Sequence, residues 1–252
     1  MTTKNKLLFL FLLLVVVELL LLLAQSFRMS AIISPNFPLR ISIMTFNTWG
    51  DNLWPQRKSS VQQLFASTRS DVIMLQEATA DILSTIQEVL PSHVRVTDST
   101  IAYPRLAEKC GVHILWNNEL LELVDKDYFD LEIPDYPDRM LFWVRLRVRS
   151  APEKLLFVST VHLPWCGCER ELTSGVNQRI PATTRICECL RSVMSVDGAN
   201  ILGGDFNDDY HPLRILSDEI GMIDVFESLD LVAPITHPAR PSAPEEVSII
   251  LN

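Results

Sequence analysis

Four short apolar runs in this chain each stop on a side chain that can do chemistry. Met44-Thr45-Phe46 is followed by Asn47, Val72-Ile73-Met74-Leu75-Gln76 by Glu77, Val158-Ser159-Thr160-Val161 by His162, and Ile201-Leu202-Gly203-Gly204 by Asp205 and Asn207. Short apolar and β-branched runs of this length, closed by polar turn formers, read as buried strands. A polar group set just past such a strand is presented at the sheet edge without being buried in the sheet. The chain is thereby constrained to a fold in which several strand ends offer polar groups for a site.

The remaining pattern fills in around these runs. Leu39 to Asn47 reads as the first strand, Pro55 to about Ser67 as a helix with Val61, Leu64 and Phe65 on one face, and Asp71 to Leu75 as a buried strand. A second helix follows Thr79, with Ile82, Leu83, Ile86, Val89 and Leu90 as its apolar stripe and Pro91 as its stop. Strands are expected at Val94 to Thr97, Gly111 to Trp116, Leu120 to Phe129, Met140 to Arg149 and Leu155 to Thr160, close enough in sequence to suggest antiparallel pairing. In Met140 to Arg149, Phe142, Val144, Leu146 and Val148 share the core face, and Arg145, Arg147 and Arg149 a solvated one. Pro164 to Gly175 reads as loop, Arg179 to Val196 as a long helix, and Asn200 to Gly203 as a last buried strand.

Composition narrows the class. With 48% hydrophobic residues in 252 the chain is globular, which excludes collagen, coiled coil and intrinsic disorder. A net charge of −9 argues against unselective binding to nucleic acid, whose phosphates attract clustered Lys and Arg. Lys4 and Lys6 precede an apolar stretch from Leu7 to Ala24 broken only by Glu18, so residues 1–26 read as a secretory signal or signal anchor and 27–252 as a single domain. Ala24-Gln25-Ser26 places small residues where a signal peptidase reads, with cleavage before Phe27. A retained helix would anchor the protein in the membrane through residues 7–24. Either way the domain is expected outside the cytosol, secreted or membrane-anchored. Export would favour a bridge between the close pairs Cys166/Cys168 and Cys187/Cys189, whereas four thiolates there would otherwise suit zinc; a spacing of one residue is shorter than zinc sites use.

At the strand ends, a carboxylate and an amide supply oxygen to Mg²⁺, a histidine donates to a phosphate oxygen, and an Asp with an Asn positions water. Thr45-Phe46-Asn47-Thr48-Trp49-Gly50, Leu75-Gln76-Glu77, Thr160-Val161-His162-Leu163-Pro164-Trp165 and Gly203-Gly204-Asp205-Phe206-Asn207, in that order, resemble the marks of the endonuclease/exonuclease/phosphatase superfamily, the DNase I-like group. The resemblance covers about Leu39 to Pro238. It implies an α/β (α+β) four-layer sandwich in which two mixed β-sheets pack face to face with helices outside. It implies a phosphodiesterase or phosphatase that uses Mg²⁺, with Mn²⁺ as a substitute. Asn47 and Glu77 would lie at the metal and phosphate, His162 would stabilise charge on the phosphate, and Asp205 and Asn207 would orient the nucleophile and the phosphate.

One departure bears on activity. The family's chains end on an Asp-His pair whose His is the general base, and no Asp-His dipeptide occurs here. The chain reads as C-terminally truncated relative to the family, its last strand begun at Glu245 to Asn252, with His211 or His237 left to stand in as the base. The competing reading is a catalytically impaired module that binds the same phosphoester. Otherwise His93, His113, His211 and His237 read as structural. Trp49, Trp54 and Trp165 lie close in sequence to Asn47 or His162 and suit a lipid headgroup as well as a stacked base. The acidic balance and export signal tilt the expected substrate toward a lipid headgroup or small phosphoester over nucleic acid.

Overall fold

A computed structural model describes residues 40–195, 198–232 and Thr236. Strand β1 (Ile43–Asn47) leads through helix α1 (Trp54–Thr68) to β2 (Val72–Gln76), then come α2 (Ala80–Val89), β3 (His93–Val94), α3 (Ala102–Cys110) and β4 (His113–Asn117). The second half runs β5 (Leu121–Asp130), β6 (Met140–Val148), β7 (Ala151–His162), α4 (Glu169–Ser174), α5 (Arg179–Val193), β8 (Ala199–Asp205), α6 (His211–Ile220) and α7 (Val225–Ser228).

These strands form two mixed four-stranded sheets, ordered β1-β2-β4-β3 and β5-β6-β7-β8. The β1/β2 and β7/β8 pairs are parallel and the others antiparallel. A parallel pair needs a long crossover, which α1 supplies in one sheet and α4 with α5 in the other. The geometric consequence decides where chemistry sits: parallel neighbours end on the same edge. Asn47 pairs with Gln76, one residue before Glu77, and His162 pairs with Asp205.

The sheets pack face to face through Val72, Met74, Ile114 and Trp116 from one and Phe142, Val144, Leu146 and Val158 from the other. Outside the first sheet, Phe65, Ile82 and Ile86 of α1 and α2 cover Ile73, Leu75 and Leu115. Outside the second, Ala182, Ile186 and Leu190 of α5 cover Leu141, Trp143 and Phe157. The four layers expected from the resemblance are therefore present. The alternation in β6 leaves Arg145 and Arg147 on its other face, ion-paired across to Asp125 and Glu122 of β5.

Three segments differ from expectation. Residues 102–110, to which the sequence reading assigns no element, form α3, and part of the expected loop Pro164 to Gly175 forms α4. The strand expected at Val94 to Thr97 shortens to His93–Val94. The proposed cysteine bridge is absent, all five thiols being free. Cys187 and Cys189 lie two residues apart on α5, about 200° apart around the helix axis, so at most one of them can face a given partner segment. Among the described residues no cluster of His, Cys, Asp or Glu is arranged to hold a metal by itself, and no helix is long and apolar enough to cross a membrane. The leader at 1–26, His237 and Glu245 to Asn252 lie outside the described residues.

The buried His113 gives a pH prediction. Its Nε2 has no hydrogen-bond partner, and burial, with a smaller push from Arg95, lowers its pKa to about 3. An unfolded chain takes up that proton near pH 6.5 while the native state refuses it. The native state therefore keeps its full stability above about pH 6.5 and loses up to about 1.4 kcal/mol per pH unit below it. Thermal melts between pH 6.5 and 4.5 are expected to fall less steeply for His113→Leu than for the wild type. Equal slopes would show that His113 contributes nothing to acid sensitivity.

Candidate active site

Asn47, Glu77, His162 and Asp205 meet where the two parallel pairs end. Asn47 Nδ2 donates to Glu77 Oε1 at 2.9 Å and to Asp205 Oδ2 at 2.7 Å, linking a residue of one sheet to a carboxylate of the other. His162 Nε2 stands 3.7 Å from Glu77 Oε1 and 3.8 Å from Asp205 Oδ2, too far for hydrogen bonds but close enough for charge to be felt. Beneath them the buried Gln76 donates to Thr45 Oγ1 and across the sandwich to Thr160 Oγ1 at 3.1 Å. That bond links one sheet to the other just below the Asn47, Glu77, His162 and Asp205 cluster.

Local backbone geometry aims each group. Glu77 is left-handed, with φ 54°, and this turn swings its carboxylate away from the strand direction. Gly111, which caps α3 at φ 64°, packs against that turn so closely that a Cβ there would lie 3.1 Å from Glu77 Cα. Gly204 is held to glycine by the neighbouring strand, because a Cβ would meet the Val161 carbonyl oxygen at 2.2 Å. Asn47 Oδ1 accepts from the Trp49 amide at 2.8 Å, so its nitrogen is the atom that faces the carboxylates. Asn207 donates one amide hydrogen to the Leu163 carbonyl at 2.9 Å and its backbone N–H to Asp205 Oδ1, tying the Asp205 turn to the residue after His162.

The electrostatics are lopsided. Two carboxylates face each other across one amide, while burial, followed by Arg139, holds His162 below its ordinary pKa against the opposing pull of Asp205 and Glu77. A neutral histidine leaves the cluster anionic, and a phosphate would add to that charge. Mg²⁺ sites of this kind use one or two carboxylates and complete their shell with water and substrate phosphate, rather than a cage made wholly of protein. Glu77 with Asp205 fits that donor set. Asn47 would offer its oxygen only by giving up the Trp49 N–H.

Arg139 was not among the expected residues. The β6/β7 ladder pairs Phe142 with Thr160, and two steps further along this antiparallel pair Met140 comes level with His162. Arg139, just before it, stands at the same edge as His162. Its Nε is buried with no hydrogen-bond partner, and its guanidinium lies 5.7 Å from the Tyr136 ring. Arg139 precedes its strand, and an antiparallel strand brings its beginning, not its end, to that edge, so no apolar run ahead of it marks it. The other expected features sort by exposure. Trp165 is 57% exposed, whereas Trp54 is core and donates to Asp81. His211 contacts Asp208 through Nδ1 at 3.0 Å, in a network separate from the Asn47, Glu77, His162 and Asp205 contacts.

A model described as the endonuclease/exonuclease/phosphatase family matches residues 44–242. A search of curated protein sequences gives no significant match. Among solved structures, humanized D. rerio TDP2 with 14 mutations is similar at 16% identity and TM-score 0.56, over 75% of this chain and 72% of that one. The human nocturnin catalytic domain with bound sulfate has 13% identity and TM-score 0.57, over 75% and 73%. A mannosyl-6-phosphatase of Bacteroides thetaiotaomicron has 18% identity and TM-score 0.51, over 68% and 66%. At such identities the structural likeness is one of fold.

Proposed function

The chain belongs to the endonuclease/exonuclease/phosphatase family, and from that premise we propose that it is a divalent-metal-dependent phosphoester hydrolase, with Mg²⁺ as its ordinary ion and Mn²⁺ as a substitute. The observation that carries this reading is the junction of Asn47, Glu77, His162 and Asp205, joined across two sheets by one amide. A bound cation supplies charge neutralisation at the phosphate, and Glu77 is its anionic ligand.

The protein's own groups do the rest. Asp205 accepts a hydrogen bond from the attacking water, aims it in line with the leaving group and takes up its proton as the phosphorus–oxygen bond to the leaving group breaks. His162, neutral and desolvated, donates from Nε2 to a non-bridging phosphate oxygen, where a fixed donor acts most strongly as charge grows. Asn47 turns its amide nitrogen from the carboxylates to the phosphate, and Asn207 keeps the His162 and Asp205 turns in register while its second amide hydrogen serves a phosphate oxygen. Arg139 adds the positive charge that the carboxylate pair lacks. The net charge of −9 and the exposed Trp165, three residues past His162, favour a lipid headgroup or small phosphoester over a polyanion. The leader reading puts this chemistry outside the cytosol.

The test is a panel of bis(p-nitrophenyl) phosphate, p-nitrophenyl phosphate, a choline phospholipid and a DNA oligonucleotide, each with Mg²⁺, Mn²⁺ or EDTA. Turnover that EDTA abolishes is expected. His162→Ala and Asp205→Asn should each lose about 10²-fold in rate with little change in melting temperature, because both act on the developing transition state. Phosphoester binding without turnover under either metal would replace the hydrolase by a binding module. Loss of folded protein in place of rate would make both residues structural.

A further inference from the structure

The loop between β1 and α1 carries the residues that aim Asn47, and it is an awkward piece of backbone. Trp49, Gly50 and Leu53 are all left-handed, with φ of 58°, 53° and 49°. Two of these are bulky L-residues, which hold such a conformation only when their surroundings impose it. Helix α1 begins at its end without a side-chain cap. Three carbonyls of the loop are gathered by one guanidinium, beside local bonds such as Asn52 Nδ2 to Trp49 O at 3.0 Å. Arg57 Nη1 donates to Thr48 O at 2.7 Å, Nη2 to Gly50 O at 2.8 Å and Nε to Asn52 O at 2.7 Å. Its Cζ lies 5.3 Å from the centroid of the Trp49 ring and 5.6 Å from that of the Trp54 ring, and Trp54 is itself fastened in the core by its bond to Asp81.

The loop in turn touches both metal-side groups. The Trp49 amide holds Asn47 Oδ1, which decides that the amide nitrogen points at Glu77 and Asp205. Gly50 lies against Glu77, a Cβ there coming 3.8 Å from Oε2. Asp51 Oδ1 accepts from Thr79 Oγ1, two residues beyond Glu77.

We propose that Arg57 is a positioning residue for the phosphoester chemistry: by gathering three carbonyls of the Thr48 to Leu53 loop, it fixes the rotamer of Asn47 and the seat of Glu77. This rests on the hydrolase reading above for its effect on rate, but not for its geometry. The work belongs to the flat fork, whose three nitrogens reach three separate carbonyls. Lysine carries the same charge and can sit over an indole, but from a single nitrogen it does not span those three carbonyls. A merely electrostatic role would be rescued by Arg57→Lys; a positioning role is not.

Arg57→Lys and Arg57→Met are therefore expected to lose similar amounts of kcat, about 10²-fold for a displacement of order 1 Å, with KM nearly unchanged. In both, the Trp49 amide, which Arg57 does not itself touch, should lose hydrogen-exchange protection while β2 and β7 keep theirs. Wild-type kcat in Arg57→Lys would overturn the proposal, as would an unchanged Trp49 amide in either variant. Should the wild-type protein hydrolyse none of the phosphoesters above, the hydrolase reading falls, and loss of Trp49 protection in Arg57→Lys still supports the positioning role.

Discussion

Glu77→Gln is expected to remove metal-dependent hydrolysis, lowering kcat/KM by about 10³-fold, while the protein stays folded. The two side chains have the same shape, and the amide oxygen of glutamine can still accept from Asn47 Nδ2, the contact that Glu77 Oε1 now makes. What disappears is one of the two negative charges facing that amide. A hard cation surrenders part of its water shell only for anionic oxygen, so the loss falls on ion binding and on every step that needs the ion. Two measurements check this: turnover of bis(p-nitrophenyl) phosphate against Mg²⁺ concentration, and Mn²⁺ affinity by titration calorimetry. Full rate with full metal dependence in the variant would show that Glu77 merely terminates its strand, and the metal would have to be sought at Asp205 without it.

Arg179→Met is expected to cost about 3–5 kcal/mol of stability. The guanidinium is buried and makes four hydrogen bonds. It donates to both Glu171 oxygens at 2.8 and 2.9 Å, to Asp208 Oδ2 at 3.1 Å and to the Pro164 carbonyl at 3.3 Å. Removing it takes the bonds from both Glu171 oxygens and the neutralising cation from Asp208. Burial alone would raise that carboxyl, but donors from Asn177, the Tyr210 and His211 amides and Arg179 outweigh it and hold Asp208 well below the usual carboxylate range. The contribution is complete above the unfolded value of about 3.9 and is lost as pH falls below it. Urea unfolding at pH 7 should show the full deficit, and acid titration a flatter loss in the variant than in the wild type. A deficit under about 1 kcal/mol would mean that the network relaxes around the missing charge, as exposed pairs do.

Much of this arrangement is readable in the sequence, for a definite reason. Strand ends are marked twice, by apolar runs that stop and by polar residues that follow, and parallel pairing carries those ends to one edge. Asn47, Glu77, His162 and Asp205 were legible on that basis. Arg139 was not, because its strand arrives from the opposite direction. Helix α3 was hidden by Pro104, which reads as a breaker yet sits in the first turn, where a missing N–H is harmless. Helix α4 is six residues long with none of them buried, so it carries no periodic apolar signal to find. Its anchor is Glu171, bonded to an arginine eight residues away, and such a pairing has no signature in local pattern. The role of Trp54 was misread for a similar reason: closeness in sequence to Asn47 did not reveal that the ring faces Asp81 and the core.

The division of the strands between the sheets has a practical consequence. Every strand of the first sheet lies between Ile43 and Asn117 and every strand of the second between Leu121 and Asp205, with only Asn118, Glu119 and Leu120 between them. Asn47 and Glu77 thus travel on one stretch of chain, and His162 and Asp205 on the other. Cut at that exposed turn, the chain would yield two pieces, each holding half of the chemistry and one face of the central core. Neither piece alone has a complete set of reacting groups. Hydrolysis by the mixed pieces would be a direct signal that they had found each other, which makes this turn a natural place to build a split reporter of association.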